Sequence, residues 1–374
     1  MIQSQFHDVR DAGSSPAGSA PKPIVVTTDD ELLDDVLRLA AAAGAAVEVV
    51  PDPGAARARW APAPMVVVGE DQADALAFLA PGRRPAVYLI GSDSNDPTVW
   101  RRAVAIGAEH VVFLPDDEAW LADRLADAAE GRGNDALVVG VIGGRGGAGA
   151  SVLATALAVT ASRRELSAML VDLDPIGGGI DLVLGAEDTT GLRWPDLADS
   201  RGRLSARALQ AELPGRHGLA VLSWDRGDLL AVSPESAHVV LAAASRACDL
   251  VTLDLPRRLD PAAEEAVAAC TAVLLVVPAE VRAVAAASRV AATLTTMTGD
   301  VRVVCRGPAP NGLRGTDVAA ALGLPLAVQM GPERRMSEQL DRGEAPGLDP
   351  RGPLAHAATE LVEQFLSERQ VSAA

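Results

Sequence analysis

Short apolar runs recur along this chain, and each is followed by a stretch whose apolar residues return at helical spacing. PIVVTT, AVEVV, MVVVGE, AVYLIGS and HVVFL read as five strands between residues 23 and 114. DDELLDDVLRLAAAAG, DPGAARARWA, DQADALAFLA, DPTVWRRAVAIGA and DDEAWLADRLADAAEG read as the helices after them. Strict strand–helix alternation leaves few architectures. It predicts a parallel sheet with helices on both faces. A second series opens at residue 137 with LVVGVIGG, an unbroken apolar run suited to a strand buried on both faces. SAMLVDLD, GLAVLSW, LVTLDLP, AVLLVVP and VRVVCR are its further strands, with helices in SVLATALAVTASRREL, SAHVVLAAASRAC, VRAVAAASRVAATLTTM and DVAAALG. The reading is therefore α/β throughout: two doubly wound parallel-sheet domains.

The punctuation between the series sets the expected boundaries. Residues 1–22 are polar and rich in Gly, Ser and Pro, which predicts a flexible tail. Residues 23–130 form the first domain, the Gly-containing segment 131–136 a linker, and residues 137–370 the second domain. LAHAATELVEQFLSERQ closes that domain as an amphipathic helix, expected to pack on it through Leu361, Phe365 and Leu366.

Charge excludes several functions. Fifty acids against thirty-three bases leave the chain at −17. Residues 1–136 carry 22 acids and 11 bases, and the remainder 28 and 22, so both parts are acidic. Sequence-independent DNA binding uses the opposite sign, and an anionic membrane surface would repel the whole chain. No apolar run approaches the ~18 residues of a membrane span. The N-terminal MIQSQFHDVRDAGSS has no apolar signal core. Both point to a cytoplasmic protein. The three cysteines (Cys248, Cys270 and Cys305) have no CxxC spacing and read as small buried hydrophobes. The five scattered histidines show no zinc-ligand spacing. Lys22 is the only lysine, so lysine chemistry is unavailable to the folded body.

The order and length of the first domain resemble those of a response-regulator receiver. A working receiver has a phospho-accepting Asp ending its third strand and a Lys ending its fifth. Here the third ends Val68-Gly69-Glu70, with Asp71 nearby, and the fifth ends Phe113-Leu114-Pro115. Asp29 and Asp30 follow the first strand. The expectation is a pseudo-receiver that docks rather than accepts phosphate. A phospho-signalling regulator using Asp30 or Asp71 is the competing reading.

The most informative segment lies between the first strand and helix of the second domain. Gly144-Arg145-Gly146-Gly147-Ala148-Gly149-Ala150-Ser151 stands where a phosphate loop belongs. Such loops follow G-x-x-x-x-G-K-[ST]: glycines let backbone N–H groups curl round phosphate, Lys binds its charge, and the hydroxyl holds Mg²⁺. The glycines and Ser151 fit, but the Lys position holds Ala150. The loop resembles the deviant Walker A, K-G-G-x-G-K-[ST], of the MinD/ParA family, with both lysines replaced, by Arg145 and Ala150. Val171-Asp172-Leu173-Asp174, Gly178, Gly179, Asp181 and Leu184-Gly185 extend the likeness. Leu250–Pro256 resembles that family's Walker B, and Leu274–Pro278 the strand after it. With a receiver-like front, the chain is similar to the CpaE-like branch, the septum-site-determining proteins of actinobacteria.

That resemblance implies roles by position. Gly144, Gly146, Gly147, Gly149, Ala150 and Ser151 would cradle ATP. Ser151, Asp172 and Asp254 would hold Mg²⁺. Asp174 would position the attacking water, and Arg145 would reach a partner's phosphate across a homodimer. Adenine is held in that family by an Asn that here is Cys305. The implied partners are cell-division proteins or Tad-type pilus and secretion proteins. Losing one charged donor at a phosphoryl-transfer centre costs about 3–4 kcal/mol, or 10²–10³ in rate. The loop amides and the helix N-terminus still attract an anion. Weak nucleotide binding and weak or absent hydrolysis follow. An active ATPase using Arg145, and a loop that holds no nucleotide, stay open as alternatives.

Overall fold

The structure, a computed structural model, describes residues 21–129, 136–309 and 312–372. Most of the expected tail and linker therefore lies outside the described residues. The chain divides into two compact units at Gly133–Asn134.

The first unit runs β1 (Ile24–Val26), α1 (Asp30–Ala42), β2 (Glu48–Val49), α2 (Pro53–Trp60), β3 (Val66–Gly69), α3 (Glu70–Leu79), β4 (Val87–Gly91), α4 (Pro97–Ile106), β5 (His110–Phe113) and α5 (Glu118–Ala129). The strands pair in the order β2-β1-β3-β4-β5, all parallel. Successive strand residues face opposite sides. Ile24, Val26, Val66, Val68 and Leu89 therefore pack with Trp60, Leu76 and Val99 of α2–α4. Val25, Val67, Tyr88 and Val112 pack with Val36, Leu39, Leu121 and Leu125 of α1 and α5. Helix starts follow local chemistry: Asp29, Asp52 and Asp96 each accept backbone N–H bonds as N-caps.

The second unit runs β6 (Leu137–Gly143), α6 (Ala150–Arg163), β7 (Ala168–Asp172), α7 (Ile180–Leu184), α8 (Trp194–Leu197), α9 (Ala206–Glu212), β8 (Gly215–Arg216) and β9 (Leu219–Leu222). It continues with α10 (Pro234–Ala247), β10 (Leu250–Leu255), α11 (Pro261–Ala268), β11 (Ala272–Pro278), α12 (Val281–Leu294), β12 (Val301–Arg306), α13 (Gly315–Leu322), β13 (Leu326–Met330), α14 (Met336–Leu340) and α15 (Pro353–Ser372). The sheet order is β13-β12-β11-β6-β10-β7-β9-β8, parallel except for the β8–β9 hairpin. Both units are thus doubly wound parallel sheets, as the alternation predicts. Strand β6 lies between β11 and β10, so the chain winds outward in both directions from it. Ligand crevices in such sheets form beyond the carboxyl ends at this reversal.

Sheet parity again splits the core. Val138 and Ile142 of β6 face α10–α13, while Val139 and Val141 face α6 and α15. Helix α6 is buried along nearly its whole length, from Leu153 to Ala161. Helix α15 covers it, with Leu361 and Phe365 buried and Leu366 half-buried, as expected for the closing helix. Three strands differ from the expectation, the two-residue β8 that pairs with β9 among them. AVEVV shortens to Glu48–Val49, because it is an edge strand paired only with β1. Strand β13 is an addition to the expected set: Leu326 and Ala327 are half-buried and Gln329 exposed, so its apolar signal is weak. Cys248 and Cys305 are buried, and Cys270 is half-buried.

Leu157 on α6 is about fully buried between the sheet and α15. Leu157→Ala should cost about 2–5 kcal/mol of stability. Urea unfolding followed by circular dichroism measures this, and a loss below about 1 kcal/mol would contradict the packing described.

Candidate functional site

Parity decides which side chains reach the crevice. On β10, Val251, Leu253 and Leu255 face α10–α13, so Asp254 turns toward α6. On β7, Met169 and Val171 face α10–α13, as does Leu173 just after it, so Asp172 turns toward α6. The two acids are direct register partners on adjacent parallel strands. Both are buried, at 2% and 6% exposure.

Asp172 Oδ1 accepts the Asp174 N–H at 3.0 Å, and Oδ2 accepts the Ile180 N–H at 3.0 Å. Its backbone carbonyl accepts the Trp194 indole N–H at 2.6 Å. The Asp254 carboxyl takes a hydrogen bond from the Ser151 hydroxyl. Burial pushes Asp172 up to about 6, with the charges of Asp174 and Asp181 adding to it. Burial and then the neighbouring Asp172 charge push Asp254 up to about 7, against the Ser151 hydrogen bond. Asp174 is half-buried, and its Oδ1 accepts the Ile176 N–H at 3.3 Å. Asp181 is buried and paired with Arg226 at 3.0 Å.

The glycine loop sits above these acids, between β6 and α6. The Gly144 N–H bonds the Val276 carbonyl at 2.9 Å, anchoring the loop to β11. A Cβ on Gly144 would lie 2.6 Å from Ala287 Cβ, so the anchor needs glycine. Gly147 and Gly149 adopt φ of +69° and +97°, which side chains disfavour. Around Gly146 and Gly147 the space is open, as a ligand cradle requires. Gly149 caps α6 without any side-chain bond, leaving the first amides of the helix for another acceptor. Ala150 begins the helix and offers no charge.

Arg145 does not extend freely from this loop. Its Nη2 bonds both Glu280 oxygens, at 3.0 and 3.2 Å, within the same chain. The implied reach across a dimer would require that pair to open. Cys305, the residue at the expected base-binding position, is buried toward α10–α13 and cannot meet a ligand in the crevice. Its neighbour Arg306 turns to the α6 side instead, as Val304 does two residues before it. Sequence reasoning passed over Arg306, although strand alternation sets it opposite Cys305. Arg306 itself lines one side of a cavity of about 250 Å³, with Gly149, Val152, Pro308, Met330 and Pro332 among the other walls. That is close to the lower end of the ~300–1,000 Å³ range of ligand sites. Arg257 and Arg258 are exposed.

The oxygen donors Asp172, Asp254 and Ser151 suit a hard cation such as Mg²⁺, which commonly uses one or two carboxylates together with phosphate. Two buried carboxylates side by side also carry negative charge that a cation would offset. Among the described residues, no three acidic, imidazole or thiol side chains converge as a complete metal site.

The first unit has its own wired cluster. Asp71 accepts the Thr27 hydroxyl at 2.8 Å, and the Thr28 N–H and hydroxyl at 2.7 and 2.8 Å. Burial raises its pKa, but bonds from Thr28, Gln72 and Thr27 outweigh this and hold it below the usual range. Glu70 accepts the Ser92 N–H at 3.0 Å and hydroxyl at 2.9 Å, and pairs with Arg102. Asp30, the other phospho-acceptor candidate, is exposed at the start of α1.

Comparison with known proteins places these units. Residues 26–136 match the family model described as the Rv3660c-like, CheY-like N-terminal domain. Over 342 residues the chain is 43% identical to Rv3660c of Mycobacterium tuberculosis strain H37Rv, covering 90% of this chain and 95% of that protein. Among solved structures it is similar to a ParA family ATPase from Chlorobium tepidum, with TM-score 0.56 and 16% identity, over 61% of this chain and 97% of that one. It is also similar to the MinD cell division protein of Aquifex aeolicus, with TM-score 0.52 and 20% identity, over 62% and 97%. The MinC:MinD complex of the same organism matches with TM-score 0.53 and 20% identity, over 62% and 96%. The second unit thus has the MinD/ParA-like fold, and the first is CheY-like. No described helix is long and apolar enough to cross a membrane.

Asp172 and Asp254 keep their protons to higher pH in the fold than in the unfolded chain, where Asp titrates near ~3.9. The stability this carries is complete below about pH 4 and is lost as pH rises through about 6 and 7. Asp254→Asn removes its share of that loss. The variant should therefore gain about 1–3 kcal/mol on the wild type between pH 5 and pH 8. Urea midpoints at the two pH values measure it, and an equal difference at both would contradict the pairing.

Proposed function

The chain belongs to the Rv3660c-like family, and from that premise we propose that it is a nucleotide-holding regulator or scaffold of septum-site determination with weak or absent ATP hydrolysis. It is a CpaE-like member of the MinD/ParA group, related to factors that localise Tad-type pilus and secretion machinery. Its partners are proteins of cell division or of that machinery. The similar solved structures support this: they include a ParA family ATPase and a MinD cell division protein, one in complex with MinC.

One observation carries the reading. The loop keeps its glycine geometry, its anchor to Val276 and the acid pair beneath it, while position 150 holds alanine. Loop amides and the start of α6 would bind the phosphates. Ser151, Asp172 and Asp254 would hold Mg²⁺, which when bound neutralises phosphate charge. Burial of both acids keeps bulk water from them, and Asp174 orients the turn through its bond to Asp172. The cavity beside Gly149 would take the base, with no role for Cys305. An active ATPase relying on Arg145 is disfavoured by its pairing with Glu280.

The first unit serves as a docking module. Glu70 stands where a phospho-acceptor Asp would be needed, Leu114 replaces the lysine, and the Asp71 oxygens are engaged by hydroxyls and amides.

Calorimetric titration with Mg·ADP and Mg·ATP should give measurable binding. Steady-state turnover should lie about 10²–10³ below that of a lysine-bearing relative. Robust turnover that Asp254→Ala abolishes would overturn the scaffold reading in favour of an enzyme.

A further inference from the structure

We propose that Arg306 supplies, from the end of β12 and within the same chain, the phosphate-binding cation that the loop lacks at position 150. This rests on the reading that the loop holds a nucleotide, and it names the group that grips the polyphosphate.

The placement comes from the strand. Val304 packs against α6, and Arg306, two residues on, extends on the same side past the last turn of the sheet. Its guanidinium lies over the loop: a Cβ built on Gly149 would sit 3.2 Å from Nη1. Gly149 is the glycine immediately before the vacated lysine position, so the charge returns to the same place from another element. A side chain at 149 would crowd the guanidinium, adding to the constraint that its φ of +97° already sets.

The local charge balance also asks for an anion. Arg145 and Arg306 both face the loop, and each acts on the other as a like charge. Glu280 is the carboxylate set against them, and Arg145 holds both of its oxygens. The Arg306 backbone carbonyl accepts the Ala279 N–H at 2.9 Å, but its guanidinium has no hydrogen bond or ion pair among the described residues. The Nε–H groups of Arg145 and Arg306 are buried without an acceptor. A buried donor left unpaired is costly, and more so on a charged group. A polyphosphate between the loop amides and Arg306 would offset the charge and accept from the guanidinium Nη groups that lie over the loop. Guanidinium groups suit that ligand because they present parallel donors to two oxygens. Burial, and then Arg145, lower the Arg306 pKa, an effect an adjacent phosphate would reverse.

The test is calorimetric titration of the full chain with Mg²⁺–pyrophosphate, Mg·ADP and adenosine. Arg306→Gln should weaken pyrophosphate and ADP about tenfold or more and leave adenosine within about twofold. Arg306→Lys should retain part of the binding, and Arg145→Gln should weaken it less than Arg306→Gln. If Arg306→Gln does not fold, Arg306→Met, which keeps the packed stem, is measured in its place. Unchanged pyrophosphate affinity in a variant, with wild-type binding of Mg·ADP intact, would sink this proposal and leave the proposed function standing. Equal losses for adenosine and pyrophosphate would move Arg306 to the base and also sink it. A wild type that binds neither pyrophosphate nor ADP would end both.

Discussion

Two carboxylates lie side by side at the ends of neighbouring parallel strands, both buried. This pairing of Asp172 with Asp254 is the interaction around which the second unit is arranged. Neither acid would be stable as a bare charge there, and burial raises both pKa values. The surroundings reduce the difficulty by hydrogen bonds. Asp174 and Ile180 donate their N–H groups to Asp172, and Ser151 donates its hydroxyl to Asp254. Trp194, fully buried, bonds the Asp172 carbonyl and ties the turn to the core. The site is therefore continuous with the hydrophobic framework, and α6 serves both as a packed helix and as the wall of the acid pair.

Opposite charges are sorted on either side of the same loop. Asp172, Asp254 and Ser151 lie below it, while Arg145, Glu280 and Arg306 gather at its other flank. A chain carrying −17 overall thus holds a local cationic excess at one helix start. Parity on β10, β7 and β12 brings Asp254, Asp172 and Arg306 to the α6 side, and their different strands separate the acids from the arginine.

The sequence reading was most informative where apolar runs were long. LVVGVIGG, LVTLDLP and AVLLVVP became β6, β10 and β11, each buried throughout, and the glycine loop fell between β6 and α6. It was least informative at the sheet edges. β2 keeps two residues because one neighbour supplies all its pairing, and β13 mixes buried Val328 and Met330 with exposed Gln329. The long stretch after α7 hid α8, α9 and β8, since helices of four to seven residues leave too few turns for a periodic signal. At the site, spacing located Asp172, Asp254, Ser151 and the glycines. It did not reveal that Glu280 holds Arg145, because 135 residues separate them. Arg306 is legible in principle, since strand alternation sets it on the opposite face to Cys305.

Replacing a lysine with a guanidinium from another strand has a mechanical consequence. A loop lysine rides on a flexible four-carbon stem and can follow charge as it migrates to a leaving oxygen. Arg306 starts from the end of a strand rather than from the loop, and its planar guanidinium presents its donors in a fixed fork. Such a group stabilises a bound ground state well and a displaced transition state less well, and uniform binding does not accelerate chemistry. The first unit follows the same logic: the Asp71 oxygens are already engaged by Thr27 and Thr28, and Glu70 by Ser92 and Arg102. Both units hold polar groups in fixed arrangements. That suits recognition and the display of a bound state more than turnover.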